Sequence, residues 1–255
     1  MPMTTSIANI IRDYNSGQVI QELLQNCDDA RARHVAFVLD KRKHATQGGL
    51  LDEAIRPFTG PALYQYDDAI FLPRDFKSLQ NTGDSEKKMD PTSTGKFGLG
   101  FNSTYHLTDF PMFISGEVMC LLEPHKRIFR DSENAPASGT QRMMADIVGD
   151  GQQLGMMELF DLGFAADELH PGYVPLRNPA SGNWFRGVQE AGRSTKLRGE
   201  QVAGWPATLF RFPLRTERMR SHSRISQKCG AVAHPPSKVC QRNRCRIFTT
   251  KRGRC

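Results

Sequence analysis

No run of about 18 or more apolar residues occurs in the 255-residue chain, so a transmembrane helix is not expected. The opening Met1-Pro2-Met3-Thr4-Thr5-Ser6 has neither the charged n-region nor the apolar h-region of a secretory signal. Cysteine is scarce, at six residues, and no two form a C-x-x-C pair. Cys229, His234, Cys240, Cys245 and Cys255 therefore match no common zinc module, and a disulfide framework is not expected in an intracellular chain. Together these absences predict a soluble, cytoplasmic protein with no membrane contact.

Positive charge is also missing from most of the chain. The net charge is +7, but residues 217–255 hold eleven Lys+Arg against one acid, a net of +10. Residues 1–216 carry 23 Lys+Arg and 26 Asp+Glu, a net of −3. A nucleic-acid partner would rest on this tail alone and is not expected for the body of the protein. Basic residues, Ser and isolated Cys follow one another in the tail without apolar periodicity. It is read as disordered, of the kind a truncation or a shifted reading frame produces. Hydrophobic residues at 38%, with 15 Phe, suffice for a core. The expected organisation is one domain over 1–216 and a basic tail over 217–255.

The most informative stretch is Gln21-Glu22-Leu23-Leu24-Gln25-Asn26-Cys27-Asp28-Asp29-Ala30. Glu22, Asn26 and Asp29 stand at i, i+4 and i+7 and on a helix share a stripe about 60° wide. Val19, Ile20, Leu23, Leu24 and Cys27 fill the neighbouring sector, which suits packing on a sheet. By periodicity alone the stripe is an ordinary solvated face. Ser16 is the expected N-cap.

A second element changes that balance. Gly95-Lys96-Phe97-Gly98-Leu99-Gly100-Phe101-Asn102-Ser103 sets small residues and backbone N–H groups at the start of a helical segment, Phe97 to Tyr105, an arrangement that suits a phosphate. Its spacing matches neither the P-loop nor the Rossmann fingerprint. Strands are expected over His34 to Asp40 and Ala62 to Tyr66, the second running into Asp67-Asp68-Ala69. Further strands are expected over Phe110 to Ser115, Glu117 to Leu122 and Thr208 to Leu214, and the polar residues 81–94 read as a lid.

E-L-L-x-N-x-x-D-A, then Tyr66-Asp67-Asp68-Ala69, then G-K-F-G-L-G-F-N-S resemble, in this order, the GHKL nucleotide-binding superfamily. That superfamily includes heat-shock-protein-90-type chaperones, type II topoisomerases, mismatch-repair ATPases and histidine kinases. Ile11-Arg12-Asp13-Tyr14, Ser78-Leu79-Gln80, Thr104-Tyr105-His106-Leu107-Thr108-Asp109, Ser115-Gly116, Leu122-Glu123-Pro124-His125 and Thr208 to Thr216 are similar to the sacsin-type repeat modules within it. The resemblance runs from about Thr4 to Thr216.

It implies an α+β fold, the Bergerat two-layer sandwich. That fold has a mixed, mostly antiparallel sheet, helices on one face and an ATP lid. It also implies ATP and Mg²⁺ as cofactors. Asn26 would ligate the metal, Glu22 would act on the attacking water, and Asp67 would accept a hydrogen bond from the adenine amino group, with Asp68 one place away as the alternative. Thr208 would help hold the base. Gly95, Gly98, Gly100 and Phe101 would form the phosphate turn, and Lys96 would add a charge there or face solvent. The implied function is an ATP-binding, weakly hydrolysing chaperone-like module working beside Hsp70-class chaperones and client proteins. The alternative is an interaction scaffold that keeps the fold without turnover, consistent with Ala69 and Ala207 at positions where other superfamily members carry glycine.

Overall fold

The computed structural model describes residues 3–13, 16–73, 75–76, 99–169, 173–184, 195–197, 200–202, 205–225 and 245–251. The lid and Gly95, Lys96 and Gly98 lie outside them. Helix α1 is Met3–Asp13, and a 3-10 turn over Ser16–Gln18 leads directly into helix α2, Val19–Asp29. Gln18, not Ser16, occupies the N-cap of α2, and it makes no side-chain cap bond. Val19, Leu23 and Cys27, at i, i+4 and i+8, form the buried stripe, whereas Ile20 turns out to solvent and is 39% exposed.

Helix α2 ends in a Schellman arrangement: the Ala32 N–H bonds the Cys27 carbonyl at 2.9 Å and the Arg31 N–H bonds the Asp28 carbonyl at 2.8 Å. Arg31 holds the left-handed conformation this requires, with φ of 61°. The reversal aims the chain into β1, His34–Asp40, whose β-branched and aromatic residues suit a strand buried on both sides.

Strand β2 is Ala62–Asp67; the short helix α3 is Leu99–Asn102, followed by a 3-10 turn over Ser103–His106. Of the expected helix from Phe97 to Tyr105, the described part from Leu99 is an α-helical turn that tightens into a 3-10 turn. Strands β3, Met112–Gly116, and β4, Val118–Leu122, form a hairpin. A two-residue pair, β5 (Phe129–Arg130) and β6 (Pro136–Ala137), precedes β7, Gly139–Met143. Helices α4 (Met144–Asp150), α5 (Leu154–Glu158) and α6 (Ala166–Leu169) follow, then the small hairpin of β8 (Thr195–Leu197) and β9 (Glu200–Val202). Strand β10, Trp205–Pro213, helix α7, Glu217–His222, and strand β11, Cys245–Lys251, complete the described chain.

Seven strands form one sheet in the order β11-β1-β2-β10-β3-β4-β7. The fold is α+β as expected, but among the described strands every pairing in this sheet is antiparallel rather than mixed. Helical segments also cover both faces, not one. Alternation sends Val35, Phe37, Phe113, Phe210 and Phe212 toward α2 and α3. It sends Ala36, Val38, Tyr64, Tyr66, Ile114 and Leu209 toward α4–α6, where Met144, Ile147, Met156 and Met157 are buried. Leaving either set exposed would cost roughly 1.5–3 kcal/mol per large apolar side chain.

On that second face Arg211 is fully buried and acts as a clasp. Its Nε donates to the Tyr64 hydroxyl at 2.9 Å, and its Nη1 and Nη2 donate to the carbonyls of Phe58 and Gly60 at 2.6 and 2.7 Å.

The stretch read as a disordered tail contains α7, Ile225 and β11. Thr216 caps α7, its hydroxyl accepting the Met219 N–H at 3.3 Å. Ile225 is buried with Ile7, Ile11 and Tyr105, and Ser223 donates to Asp109 at 2.7 Å. Strand β11 pairs with β1 from His34↔Lys251 to Asp40↔Cys245.

Candidate functional site

Register across the sheet builds the site. Asp67 pairs with Val35 on one side and Thr208 on the other, and Thr208 pairs with Ser115. Asp67, Thr208 and Ser115 thus form one row across β2, β10 and β3. Two residues along the strands, the next row on the same face reads Phe37, Gln65, Phe210, Phe113 and Cys120. Helix α2 lies over these rows. Between them opens a cleft of about 440 Å³, open solvent included, lined by α2 (Leu23, Asn26, Cys27), β2 (Gln65, Asp67), Ala69, Ile70, Phe71, Asp75, Phe101 and β10 (Thr208, Phe210).

Asp67 is 4% exposed. Its Oδ1 accepts the Ala69 N–H at 3.1 Å, and its Oδ2 accepts from Gln65 Nε2 at 3.0 Å and from the Cys27 thiol at 3.8 Å. Burial pushes its carboxyl up to about 7, against the Ala69 N–H and with the help of neighbouring Asp68. Asp68 does different work. Its carboxylate accepts the N–H groups of Arg33 and His34 at 2.7 and 3.0 Å and contacts the His34 ring at 3.2 Å, tying down the start of β1. Burial opposes its ionisation, but these donors outweigh burial and hold it below the usual carboxylate range. Of the two neighbours, Asp67 is the one that lines the cleft.

Thr208 belongs to a directed chain of hydrogen bonds. The Phe71 N–H donates to Ser115 Oγ at 2.8 Å, Ser115 donates to Thr208 Oγ1 at 2.7 Å, and Thr208 donates to the Ala69 carbonyl at 2.8 Å. Because the single Thr208 proton goes to Ala69, Ser115 must be the donor between the hydroxyls. The chain fastens residues 69–71, where β2 leaves the sheet, onto β3 and β10.

On α2, Asn26 reaches the cleft, and its Nδ2 is buried with no protein partner. Glu22, one turn earlier, meets the glycine segment instead: a Cβ added at Gly100 would lie 2.3 Å from Glu22 Oε2. Only glycine lets the backbone of α3 approach that carboxylate so closely.

Of the residues singled out in the sequence, Asn26, Asp67, Phe101 and Thr208 come together around the cleft, and Glu22 and Gly100 meet beside it. Asp29 is not among the cleft-lining residues. Gln65 and Asp75, both in the lining, were not anticipated. Gln65 could have been found by alternation, since i and i+2 on a strand share a face and Asp67 marks which face. Among the described residues no group of three or more His, Cys, Asp or Glu is placed to hold a metal ion, and no helix is long and apolar enough to cross a membrane. Cys27 and Cys120 are buried free thiols, their ionisation pushed up by burial.

A family model for the Sacsin domain matches residues 1–167. Sacsin from Homo sapiens is 33% identical over 228 residues, which make up 89% of this chain and 4% of that protein. The chain spans only a small part of that relative's length. With a matching family model over well more than half its residues and a relative at this identity, the chain belongs to the sacsin family.

Proposed function

We propose that the cleft binds Mg-ATP in the manner of the GHKL, heat-shock-protein-90-like proteins, and that the chain is an ATP-binding, weakly hydrolysing chaperone-like module. One observation carries this reading: Asn26, Asp67, Phe101 and Thr208, taken from four separate stretches on motif grounds, line a single cleft. The donor set fits the ligand. The buried end of the Asn26 carboxamide has no protein partner, and a half-turn exchanges its nitrogen and oxygen, so either a phosphate acceptor or a hard cation suits it. Bound Mg²⁺ would neutralise phosphate charge. Asp67 and Thr208 would hold the base at the cleft floor, and Gly100 would bring backbone close to the phosphates.

Glu22 would orient the attacking water and accept its proton. Turnover would be slow, because phosphoryl transfer calls for positive charge and no Lys or Arg among the described residues lines the cleft. A role in cytoplasmic protein quality control, with Hsp70-class chaperones and client proteins as partners, is part of the same proposal.

A second reading, a scaffold that keeps the fold without turnover, is favoured by the placement of Glu22, whose carboxylate lies against Gly100 rather than among the cleft-lining groups. Titration calorimetry of the full chain with Mg-ATP, paired with phosphate-release assays, tests both. Saturable binding that Asn26→Ala weakens about tenfold, and that EDTA weakens equally, supports the site. Phosphate release that Glu22→Ala abolishes while binding persists supports the hydrolysing form. Binding without release supports the scaffold, and no saturable binding at millimolar ATP removes the nucleotide site.

A further inference from the structure

Gln65 is a polar residue set among apolar neighbours in its row. Phe37, Phe210, Phe113 and Cys120 stand beside it across four strands, all facing α2. A carboxamide in such a row costs free energy unless both of its ends are satisfied. One end is. Gln65 Nε2 donates to Asp67 Oδ2 at 3.0 Å and to Cys27 Sγ at 2.9 Å, which uses both of its protons. The other end is not. Gln65 Oε1 is buried without a partner, in a residue only 1% exposed that lines the cleft. The orientation follows from charge, because turning the amide over would set its oxygen against the Asp67 carboxylate.

We propose that Gln65 is a specificity-determining residue that, together with Asp67, offers two acceptors to the exocyclic amino group of a 6-aminopurine and so excludes 6-oxopurines. The inference rests on the nucleotide reading of the cleft and refines it. Asp67 Oδ1 receives only the Ala69 N–H and keeps a lone pair free, while Gln65 Oε1 keeps both. An amino group carries two protons and can satisfy one acceptor with each. A 6-oxo group would place a third acceptor against these two, and a site built to bond an N–H rejects a ligand that lacks it. Cys27 is the positioning residue, since its sulfur takes one amide proton and keeps the oxygen end turned away from Asp67.

The test is titration calorimetry of the full chain with ADP and with IDP, which share every group except that at purine position 6. Wild type is expected to favour ADP by at least about tenfold. Gln65→Met, which suits the apolar row, should lower the ADP:IDP ratio about fivefold or more, chiefly through weaker ADP binding. Cys27→Ala, which removes the acceptor that fixes one amide proton, should lower the ratio part of the way toward that of Gln65→Met.

An unchanged ratio in Gln65→Met, or an equal loss of both nucleotides, overturns the inference and assigns the carboxamide to packing. Should Gln65→Met not fold, wild type decides: N6-methyl-ADP, one proton short, should bind at least about tenfold more weakly than ADP, and equal binding overturns the proposal. The two levels fail separately. Wild type that binds neither nucleotide removes the nucleotide site itself, whereas ADP binding lost in Asp67→Asn beside an unchanged ratio in Gln65→Met removes only the role of Gln65.

Discussion

At Asp67, burial lifts the carboxyl from its ordinary 3.8 to about 7, so the folded chain holds a proton there that the unfolded chain has released. The sign of the linkage follows. The contribution is present in full below about pH 4, falls as pH rises toward 7 and is level above that. Asp67→Asn removes the titration with little change of shape. Urea unfolding at pH 5 and pH 8 should therefore show the wild type losing stability relative to the variant as pH rises, by at most roughly 2.7 kcal/mol. A difference that grows the other way would contradict the buried placement. Gly100 offers a second check. An added Cβ would meet only the flexible end of Glu22, 2.3 Å away, so Gly100→Ala should shift stability by no more than about 1 kcal/mol. It should nonetheless displace the Glu22 carboxylate and lower any phosphate release severalfold.

The elements show where local sequence decides structure and where it does not. Arg31 supplies the left-handed residue of the α2 Schellman turn, a place where glycine carries no Cβ penalty. Arg31→Gly should raise stability by about 1 kcal/mol, read from the urea midpoint, and a loss would mean that the Arg side chain contributes more than the turn costs. The loop after β1 meets α5 backbone to backbone. A Cβ at Gly155 would lie 2.2 Å from the Gly49 carbonyl oxygen, and one at Gly49, itself at φ of 80°, would lie 2.1 Å from that of Gln152. Either glycine changed to alanine should cost at least about 2 kcal/mol, since neither backbone can yield cheaply.

Alternation and apolar runs were enough to find β1, β2, β3, β4 and β10 to within a residue or three, because those strands are buried and their pattern is local. The N-cap of α2, the outward turn of Ile20 and the covering of the second face by residues 144–169 and 173–176 were not legible. Each depends on how distant segments meet. The cleft was legible in its motif residues; alternation places Gln65 on the face of Asp67, but its apolar cross-strand neighbours appear only with the register.

For the whole molecule, the described part of 217–255 is built into the domain. Arg215 clasps this corner, its Nη2 donating to Asp109 Oδ1 at 2.6 Å and to the Tyr105 carbonyl at 2.6 Å, while Ser223 reaches the same aspartate and Ile225 fills the gap beneath α1. A chain ending at residue 216 should be less stable than one ending at 225 by about 2–3 kcal/mol, the contribution of a buried isoleucine and its neighbours, measured by chemical unfolding. Equal stability would show that residues 217–225 contribute nothing to the domain.

Thermal unfolding of the full chain with and without Mg-ATP, beside Asp67→Asn, tests the central claim most directly. A ligand at about 100 times its dissociation constant stabilises by roughly 2.7 kcal/mol, a shift of several degrees for a chain of this size. The account predicts an upward shift in wild type that Asp67→Asn abolishes. A folded wild type whose melting temperature does not move at millimolar Mg-ATP would contradict it.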